Sequence, residues 1–297
     1  MSTPLFPPRV AAIHDLSGFG RCALTVIMPT LSVMGYQVVP IPTALLSTHT
    51  GGFTDMHFRD LTADMDAIAE HFAQLDIRFR AIYTGFLGSA EQIETVSQII
   101  DRFGERPDES GNAPLILIDP VMGDDGELYS TYTHELMLGM RKLSSRAHLL
   151  TPNLTEACFL TDTPYQSTAK LSEPDALAFA NTLLDRLTEV TQGRIVITGI
   201  HLSDGSVANV GLDADGTRFC VKRPHEARSY PGTGDLFASV LLGSLLRGDA
   251  FPDACAYAAE FTGEVIHESA PIPTPERDGV ALEHHLWKLT QIQKKGS

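Results

Sequence analysis

The sequence predicts an α/β fold in three layers (αβα), with a mainly parallel central sheet and helices on both of its faces. Three observations support this prediction. Short apolar runs alternate with helical patterns of about 10–15 residues, which is typical of βαβ units. The run at residues 115–119 is apolar at nearly every position, as expected for a strand buried on both faces. Polar or glycine-rich sequences directly follow several runs, where α/β sheets bind their ligands.

The first predicted elements are a strand at 9–14 and a helix at 22–34, whose apolar residues recur at helical spacing. The next segment, 36–43, is β-rich. Pro40 and Pro42 predict an edge or irregular strand there, because proline cannot donate a ladder hydrogen bond.

The remaining elements continue the alternation. Apolar residues that step by four and three between Leu61 and Leu75 predict an amphipathic helix. Helix starts are predicted at Ser89 and Ser172, from the types and spacing of the residues that follow each serine. The other predicted elements are strands at 80–84, 115–119, 147–151 and 194–198, a hairpin at 206–211 and 217–223, and helices at 235–247, 252–268 and 282–292.

The composition is that of a globular protein, which we expect to form one domain over 1–297 with flexible ends at 1–8 and 293–297. The formal charge of −15 argues against nucleic-acid and anionic-membrane partners, because polyanions attract positive charge. No apolar stretch approaches the ~20 residues of a membrane span, and the chain does not begin like a signal peptide. We expect a cytoplasmic protein whose four cysteines, Cys22, Cys158, Cys220 and Cys255, are buried free thiols.

The motif Gly232-Thr233-Gly234-Asp235 directly precedes an apolar helix. Glycines let the backbone turn with its amides pointing inward, and a helix start adds unpaired N–H groups and a positive dipole end. Such a site suits a phosphoryl group in transfer. A carboxylate beside it would repel a resting anion, but it can take the proton from an attacking hydroxyl. The alternative is a glycine-rich turn in which Asp235 only favours the helix start.

Two further motifs follow predicted strands. Asp119 and Asp124 flank a proline-to-glycine loop in DPVMGD, and carboxylates of this kind are Mg²⁺ ligands; the alternative is a polar turn. In TPNLTE, Thr151 opens the motif, and Asn153 with Glu156 has the spacing of a capping box. The functional interpretation places Asn153 near phosphate and Glu156 at a metal-bound water.

The segment after the first predicted strand, HDLSGFGRCA, contains Gly18, Gly20 and Ala23 at the spacing of a dinucleotide fingerprint. That fingerprint needs an acid about 20 residues later to hold a ribose. The sequence has no aspartate or glutamate between Asp15 and Asp55, so we reject a nicotinamide site. A glycine turn over a substrate ring is the better interpretation.

Two more loops offer side chains to a small flat substrate. LSTHTGGF contains His49 and Thr50, and the strand end YTGF contains Phe86. A surface turn for the first loop and a core position for Phe86 are the alternatives.

The motifs GTGD, DPVMGD and TPNLTE, in their relative positions, resemble those of the ribokinase-like kinases. Within that superfamily the chain is most similar to pyridoxal kinases, through LSTHTGG, YTGFLGS and DPVMGD-x-GELY. The resemblance covers residues 9–267, nearly the whole chain.

The resemblance implies a ribokinase-like fold and an ATP-dependent kinase that phosphorylates the 5′-hydroxymethyl group of a B6 vitamer. It also implies Mg²⁺, often with K⁺ or Na⁺ nearby, and a homodimer. Asp235 is the implied base and Gly232, Thr233 and Gly234 the anion hole. The residues implied on the ATP side are Asp119, Thr151, Asn153 and Thr198; at the metal, Asp119, Asp124 and Glu156; on the acceptor side, Asp15, Ser17, His49, Thr50, Phe86 and Tyr129.

Two positions depart from the family pattern. Asp15 stands where many pyridoxal kinases have a serine that hydrogen-bonds the ring, and Phe86 stands where many have tyrosine. A carboxylate at position 15 would favour a protonated ring nitrogen or a hydroxyl donor. Hydroxymethylpyrimidine and a small sugar therefore remain alternative acceptors, and a non-catalytic vitamin-binding protein is the alternative outside the enzymes.

Overall fold

The computed structural model describes residues 7–130, 132–226 and 228–290. A nine-stranded sheet lies at its centre, in the order β11-β10-β9-β8-β5-β4-β1-β2-β3, and β6 pairs separately with β7. The strands are β1 (Arg9–Phe19), β2 (Gln37–Thr48), β3 (Phe58–Asp60), β4 (Ala81–Thr84), β5 (Leu115–Ile118), β6 (Gly123–Asp124), β7 (Glu127–Leu128), β8 (Leu149–Leu150), β9 (Arg194–His201), β10 (Ser206–Leu212) and β11 (Arg218–Pro224).

The six strands from β9 to β2 in this order are parallel, whereas β3, β10 and β11 join antiparallel. The described helices are α1 (Leu24–Val33), α2 (Thr62–Gln74), α3 (Ala90–Phe103), α4 (His134–Ser144), α5 (Leu154–Leu160), α6 (Glu173–Leu187), α7 (Thr233–Arg247), α8 (Phe251–Ser269) and α9 (Leu286–Thr290).

Two hydrophobic cores sandwich the sheet. Strand side chains alternate between them, so that Ile82 packs with α2 to α6 whereas Tyr83 packs with α1, α7, α8 and α9. Both residues are fully buried. The predicted fold class, a mainly parallel sheet with helices on both faces, is therefore confirmed.

Several predicted boundaries need correction. The strand predicted at 36–43 is β2, which extends to Thr48. Its prediction as an edge or irregular strand is confirmed, since β3 pairs only with Ala44–Leu46, beyond Pro40 and Pro42, and the register with β1 shifts between Pro42 and Leu45. Cys220 is an exposed thiol on the outermost strand β11, whereas Cys22, Cys158 and Cys255 are buried as predicted.

The predicted last helix, 282–292, is a 3-10 turn at Leu282–His284 followed by α9. Its last two residues lie outside the described part of the chain, as do the predicted flexible tail and most of the predicted flexible N-terminus. Among the described helices, none has both the length and the apolar character needed to cross a bilayer.

Candidate functional site

The predicted site residues gather at the edge of the sheet where the parallel strands end. Two adjoining cavities lie there, and Asp235, Gly232 and Tyr129 line both. The first has a volume of about 540 Å³ and is called the larger cavity below; the second has about 200 Å³ and is called the smaller or acceptor cavity. A separate cavity of about 820 Å³ lies at the opposite end of the strands, beside Arg146 and His148, and none of the predicted site residues lines it.

The turn before α7 depends on Gly232, which has a left-handed backbone with φ of +79°. A Cβ at this position would lie 2.1 Å from the carbonyl oxygen of Arg21. The turn thus leads directly into the first turn of α7, whose N–H groups lack helical acceptors. These free N–H groups and the helix dipole favour an anion at this position. The role of Gly232, Thr233 and Gly234 as an anion hole stays a prediction.

Asp235 lies in the first turn of α7, and its Oδ2 accepts a 2.7 Å hydrogen bond from the backbone N–H of Ala23. Burial of the carboxyl raises its pKa to about 7, against a lowering by that hydrogen bond; the charge of Asp15 raises it further. A carboxyl with a pKa near neutrality can accept a proton and release it again at physiological pH. The contribution of Ala23 was missed from the sequence, because a backbone amide carries no residue-type signal.

Asp119 directly follows β5 and is buried, and its Oδ1 accepts a 3.0 Å hydrogen bond from the hydroxyl of Thr151. Burial, together with the charge of Asp235, raises the pKa of Asp119. Asp124 lies on β6 with an exposed side chain, at the mouth of the larger cavity. The structure thus brings Asp119, Asp124 and Thr151 to one cavity.

Asn153 and Glu156 form the capping box that the sequence offered as the alternative. The side chain of Asn153 accepts a 2.9 Å hydrogen bond from the N–H of Glu156, whose Oε2 accepts a 2.8 Å bond from the N–H of Asn153. The other oxygen of Glu156 accepts from the N–H of Met122, and Asn153 donates to the carbonyl of Gly123. Both side chains therefore fix the loop after β5, and their roles at phosphate and metal stay predictions.

The chemistry of the larger cavity fits a cation. Its described lining contains four carboxylates of the predicted site but no lysine or arginine. The buried Glu156 has a raised pKa, first because of burial and then because of the charge of Asp119. The negative charge of the ionised carboxylates is therefore not balanced by positive side chains in this lining. In the described part of the chain, no group of three His, Cys, Asp or Glu side chains is arranged to hold a metal. A bound Mg²⁺ would therefore need further oxygens from phosphate and water.

The larger cavity has space for more than phosphates. Thr198 lines it at a bridge to Asn153. A third cavity of about 420 Å³ continues past Thr198 and Phe237 to Ala259 and Ile266. A polar region therefore leads into a partly apolar one.

The smaller cavity collects the predicted acceptor residues. Asp15, His49, Thr50, Phe86 and Tyr129 all line it. Ser17 does not, since it is fully buried behind Asp15 and donates a 3.0 Å hydrogen bond to Oδ2 of that residue. The direct contact predicted for Ser17 thus becomes an indirect one, made through Asp15.

Asp15 itself is 8% exposed, and burial raises its pKa, against lowering by Ser17 and His49. A buried carboxyl aimed at a small cavity favours a partner that brings a proton or a positive charge. Cys22 also lines this cavity, and it was not among the predicted site residues, because nothing marks a lone cysteine as a pocket residue.

Comparison with known proteins relates the chain to kinases of vitamin precursors. The family described as phosphomethylpyrimidine kinase matches residues 24–276. A pyridoxal kinase from Arabidopsis thaliana is 31% identical over 268 residues, which cover 88% of this chain and 80% of the plant protein. A hydroxymethylpyrimidine/phosphomethylpyrimidine kinase from Bacillus subtilis is 26% identical over 245 residues, or 82% of each chain.

A solved structure is also similar. It is that of a protein from Bacteroides thetaiotaomicron, described as a phosphomethylpyrimidine kinase and crystallised with pyridoxal. It is 38% identical with a TM-score of 0.84, and the match covers 95% of this chain and 96% of the other.

Proposed function

Because the chain belongs to the phosphomethylpyrimidine kinase family, we propose that it is an ATP-dependent kinase that phosphorylates the 5′-hydroxymethyl group of pyridoxal or a related B6 vitamer. The product would be pyridoxal 5′-phosphate. The single observation that carries this proposal is the position of Asp235, which lines both the larger cavity and the small acceptor cavity beside the start of α7.

In the proposed reaction, Asp235 accepts the proton of the acceptor hydroxyl as the hydroxyl oxygen forms a bond to the γ-phosphorus of ATP. The bond from that phosphorus to the bridging oxygen breaks, and ADP leaves with the electron pair. The backbone amides of Gly232, Thr233 and Gly234 stabilise the charge on the phosphoryl oxygens.

Asp119, Asp124 and Glu156 are the carboxylates beside which Mg²⁺ would be held, with further oxygens from phosphate and water. Bound Mg²⁺ supplies the positive charge that phosphate oxygens need. This assignment is supported by the described lining of the larger cavity, which contains these carboxylates and no basic side chain except His201. The triphosphate would then occupy the larger cavity, with the nucleoside in the 420 Å³ cavity beyond Thr198.

The choice of a B6 vitamer rests on the small cavity. Its lining combines the aromatic side chain of Phe86 with the buried carboxyl of Asp15, and the carboxyl suits a protonated ring nitrogen. The similar protein from Bacteroides thetaiotaomicron was crystallised with pyridoxal. The second candidate is a hydroxymethylpyrimidine kinase, since an amino group on a pyrimidine could also donate to Asp15, and the relative from Bacillus subtilis has that description.

The test is an acceptor panel with Mg-ATP, containing pyridoxal, pyridoxine, pyridoxamine, hydroxymethylpyrimidine and ribose. We expect the highest kcat/KM with a B6 vitamer and no turnover in excess chelator. Turnover of hydroxymethylpyrimidine alone would favour the second candidate, and turnover of ribose alone a sugar kinase. Tight vitamin binding without formation of ADP would indicate a binding protein.

The homodimer, the cytoplasmic location and the bound K⁺ or Na⁺ rest on the resemblance and the composition alone, and we keep them as parts of the proposal. Light scattering checks the first, and the dependence of turnover on the monovalent salt checks the last.

A further inference from the structure

A turn near the C-terminal end of the described chain contacts the loop that borders the acceptor cavity. Nε2 of His49 lies 2.6 Å from the carbonyl oxygen of Arg277, which belongs to the 3-10 turn Glu276–Asp278. Nδ1 of His49 accepts a 3.0 Å hydrogen bond from the N–H of Gly51. A carbonyl can only accept and an N–H can only donate, so the neutral ring must carry its proton on Nε2. Both ring nitrogens of His49 are thus engaged within the protein.

The side chain of Arg277 makes two further contacts with the same loop. Its guanidinium lies over the ring of Phe53, 4.9 Å from the centroid, and Nη1 donates a 3.2 Å hydrogen bond to the carbonyl of Gly52. The rings of His49 and Phe53 also meet edge to face at 5.0 Å. Arg277 therefore contacts three residues of the loop 48–53, which runs from the last residue of β2 to Phe53.

The loop contains two glycines, which make it flexible unless other residues contact it. Gly51 and Gly52 are adjacent, and Gly52 has a left-handed backbone with φ of +77°. Glycines lose more conformational freedom on ordering than any other residue. Ordering this loop beside the small cavity therefore costs conformational entropy, which contacts with another segment can offset.

The same C-terminal turn is tied to the phosphate side of the site. The backbone N–H and the Nη1 of Arg21 both donate to the carbonyl of Asp278 at 3.2 Å, and the guanidinium of Arg21 pairs with Glu283 at 2.9 Å. The carbonyl of Arg21 is the group that excludes a side chain at Gly232. One turn thus packs against both the acceptor loop and the residue under the glycine turn of α7.

We propose that Arg277 is a positioning residue for the acceptor, which acts by holding the loop 48–53 closed against the small cavity. This inference rests on the proposed function, and it deepens it. Arg277 does not line any of the three cavities at this edge of the sheet, so it acts through His49, Gly52 and Phe53 rather than on the reacting atoms. The loop in turn places His49 and Thr50 at the acceptor cavity.

The test compares Arg277→Ala and Arg277→Lys with Arg106→Ala. Arg106 is a matched control, because its guanidinium also lies over a phenylalanine, Phe103, at 5.5 Å, and it lines none of the three cavities at the site edge of the sheet. We expect Arg277→Ala to raise the KM for the acceptor about tenfold, since it removes a hydrogen bond and a cation–π contact. The KM for ATP and kcat should stay within about twofold of the wild type, because Arg277 makes no part of the larger cavity, on the other side of Asp235.

Arg277→Lys should restore part of the acceptor affinity, because lysine keeps the charge over Phe53 but loses the planar donor. Arg106→Ala should change neither KM. An unchanged acceptor KM in Arg277→Ala, or an equal rise in both KM values, would overturn the proposal. Thermal melting of each variant shows whether the protein is folded.

A second measurement does not depend on the reaction. Hydrogen exchange of the ligand-free protein should show faster exchange of the amides at 48–53 in Arg277→Ala, and no change there in Arg106→Ala. Unchanged exchange at 48–53 would contradict the positioning role whatever the acceptor is. Faster exchange at 48–53 in a protein that phosphorylates no B6 vitamer would support the loop contact and refute only the proposed substrate.

Discussion

The backbone N–H of Ala23 donates a 2.7 Å hydrogen bond to Oδ2 of Asp235, although 212 positions separate the two residues. Ala23 has a positive φ of 48°, immediately before α1. The turn between β1 and α1, which contains Gly20 and ends at Ala23, therefore serves a carboxylate of this chain. The hydrogen bond fixes one oxygen of Asp235 at the junction of the two cavities.

Asp235→Asn should lower kcat by about 10²–10⁴-fold, the usual contribution of a general base. The amide keeps the size of the side chain and can still accept the Ala23 hydrogen bond, so the melting temperature should not fall. Asp253→Asn is the matched control, because Asp253 also lies in the first turn of a long helix but has an exposed side chain. Steady-state kinetics of both variants check this; a kcat near that of the wild type in Asp235→Asn would remove Asp235 from the mechanism.

The activity should rise with pH through neutrality. Burial raises the pKa of Asp235 to about 7, and a base is active only when ionised, so kcat/KM should increase through about pH 7 and level off above it. Asp15 contributes to this raised pKa through its charge. Asp15→Asn should therefore move the midpoint of the profile to lower pH. A profile of kcat/KM from pH 5.5 to 9 tests this, and a rate that falls across the same range would contradict it.

The free energy of unfolding of the metal-free protein should fall as pH rises from about 4 to about 8. Asp119, Glu156 and Asp235 all have raised pKa values in the folded protein, so the folded state binds more protons than the unfolded state between the two sets of pKa values. Stability is then lost as pH rises, because ∂ΔG/∂pH has the sign of protons bound unfolded minus folded.

Asp119→Asn should lose less stability than the wild type over this range, and Mg²⁺ should reduce the loss in the wild type. Urea unfolding at pH 5.5 and 8 measures the difference, in excess chelator for both proteins and also in excess Mg²⁺ for the wild type. The comparison with the variant cancels the contribution of the histidines. An identical change in both proteins would show that Asp119 is not among the groups responsible.

Asp15 should decide the preference among acceptors. Asp15→Asn removes the charge but keeps the shape, and we expect it to raise the KM for acceptors with a protonated ring by about tenfold, or ~1.5 kcal/mol for a charge-assisted hydrogen bond. Ser17→Ala should have a smaller effect in the same direction, because Ser17 reaches the cavity only through Asp15. An acceptor ranking that is the same in wild type and Asp15→Asn would exclude this role.

Two glycines of the turn before α7 should respond differently to alanine. Gly232→Ala would force a side chain into a left-handed backbone and onto the carbonyl of Arg21, so it should cost more than about 2 kcal/mol and remove activity. At Gly234 a Cβ meets no described atom within 4 Å, and Gly234→Ala should not lower the free energy of unfolding. Urea titrations of the pair check this, and equal losses at both positions would show that the backbone of Gly232 is not the constraint.

The sequence predicted the members of the site better than their contacts. Asp119 and Asn153 meet because each closely follows a parallel strand, β5 or β8, and the carboxyl ends of parallel strands lie at one edge of the sheet, which periodicity alone can indicate. Asp235 joins them from the first turn of α7, and its motif was recognised by its glycines rather than by a preceding strand. The partner of His49 could not be found in this way, because Arg277 is 228 positions away and reaches it with a backbone carbonyl. The continuation of β2 to Thr48 was also missed, since the proline rule concerns hydrogen bonds and does not limit strand length, although the prolines correctly indicated an edge and an irregularity there.

The two cavities that meet at Asp235 share five lining residues, namely Val121, Tyr129, Pro231, Gly232 and Asp235, and the rest of each lining is its own. For a reaction between two molecules this means that both must be bound at the same time for transfer beside Asp235, so that initial-rate kinetics should follow a sequential scheme. It also means that an inhibitor could be built to fill either side alone and compete with only one of the two substrates.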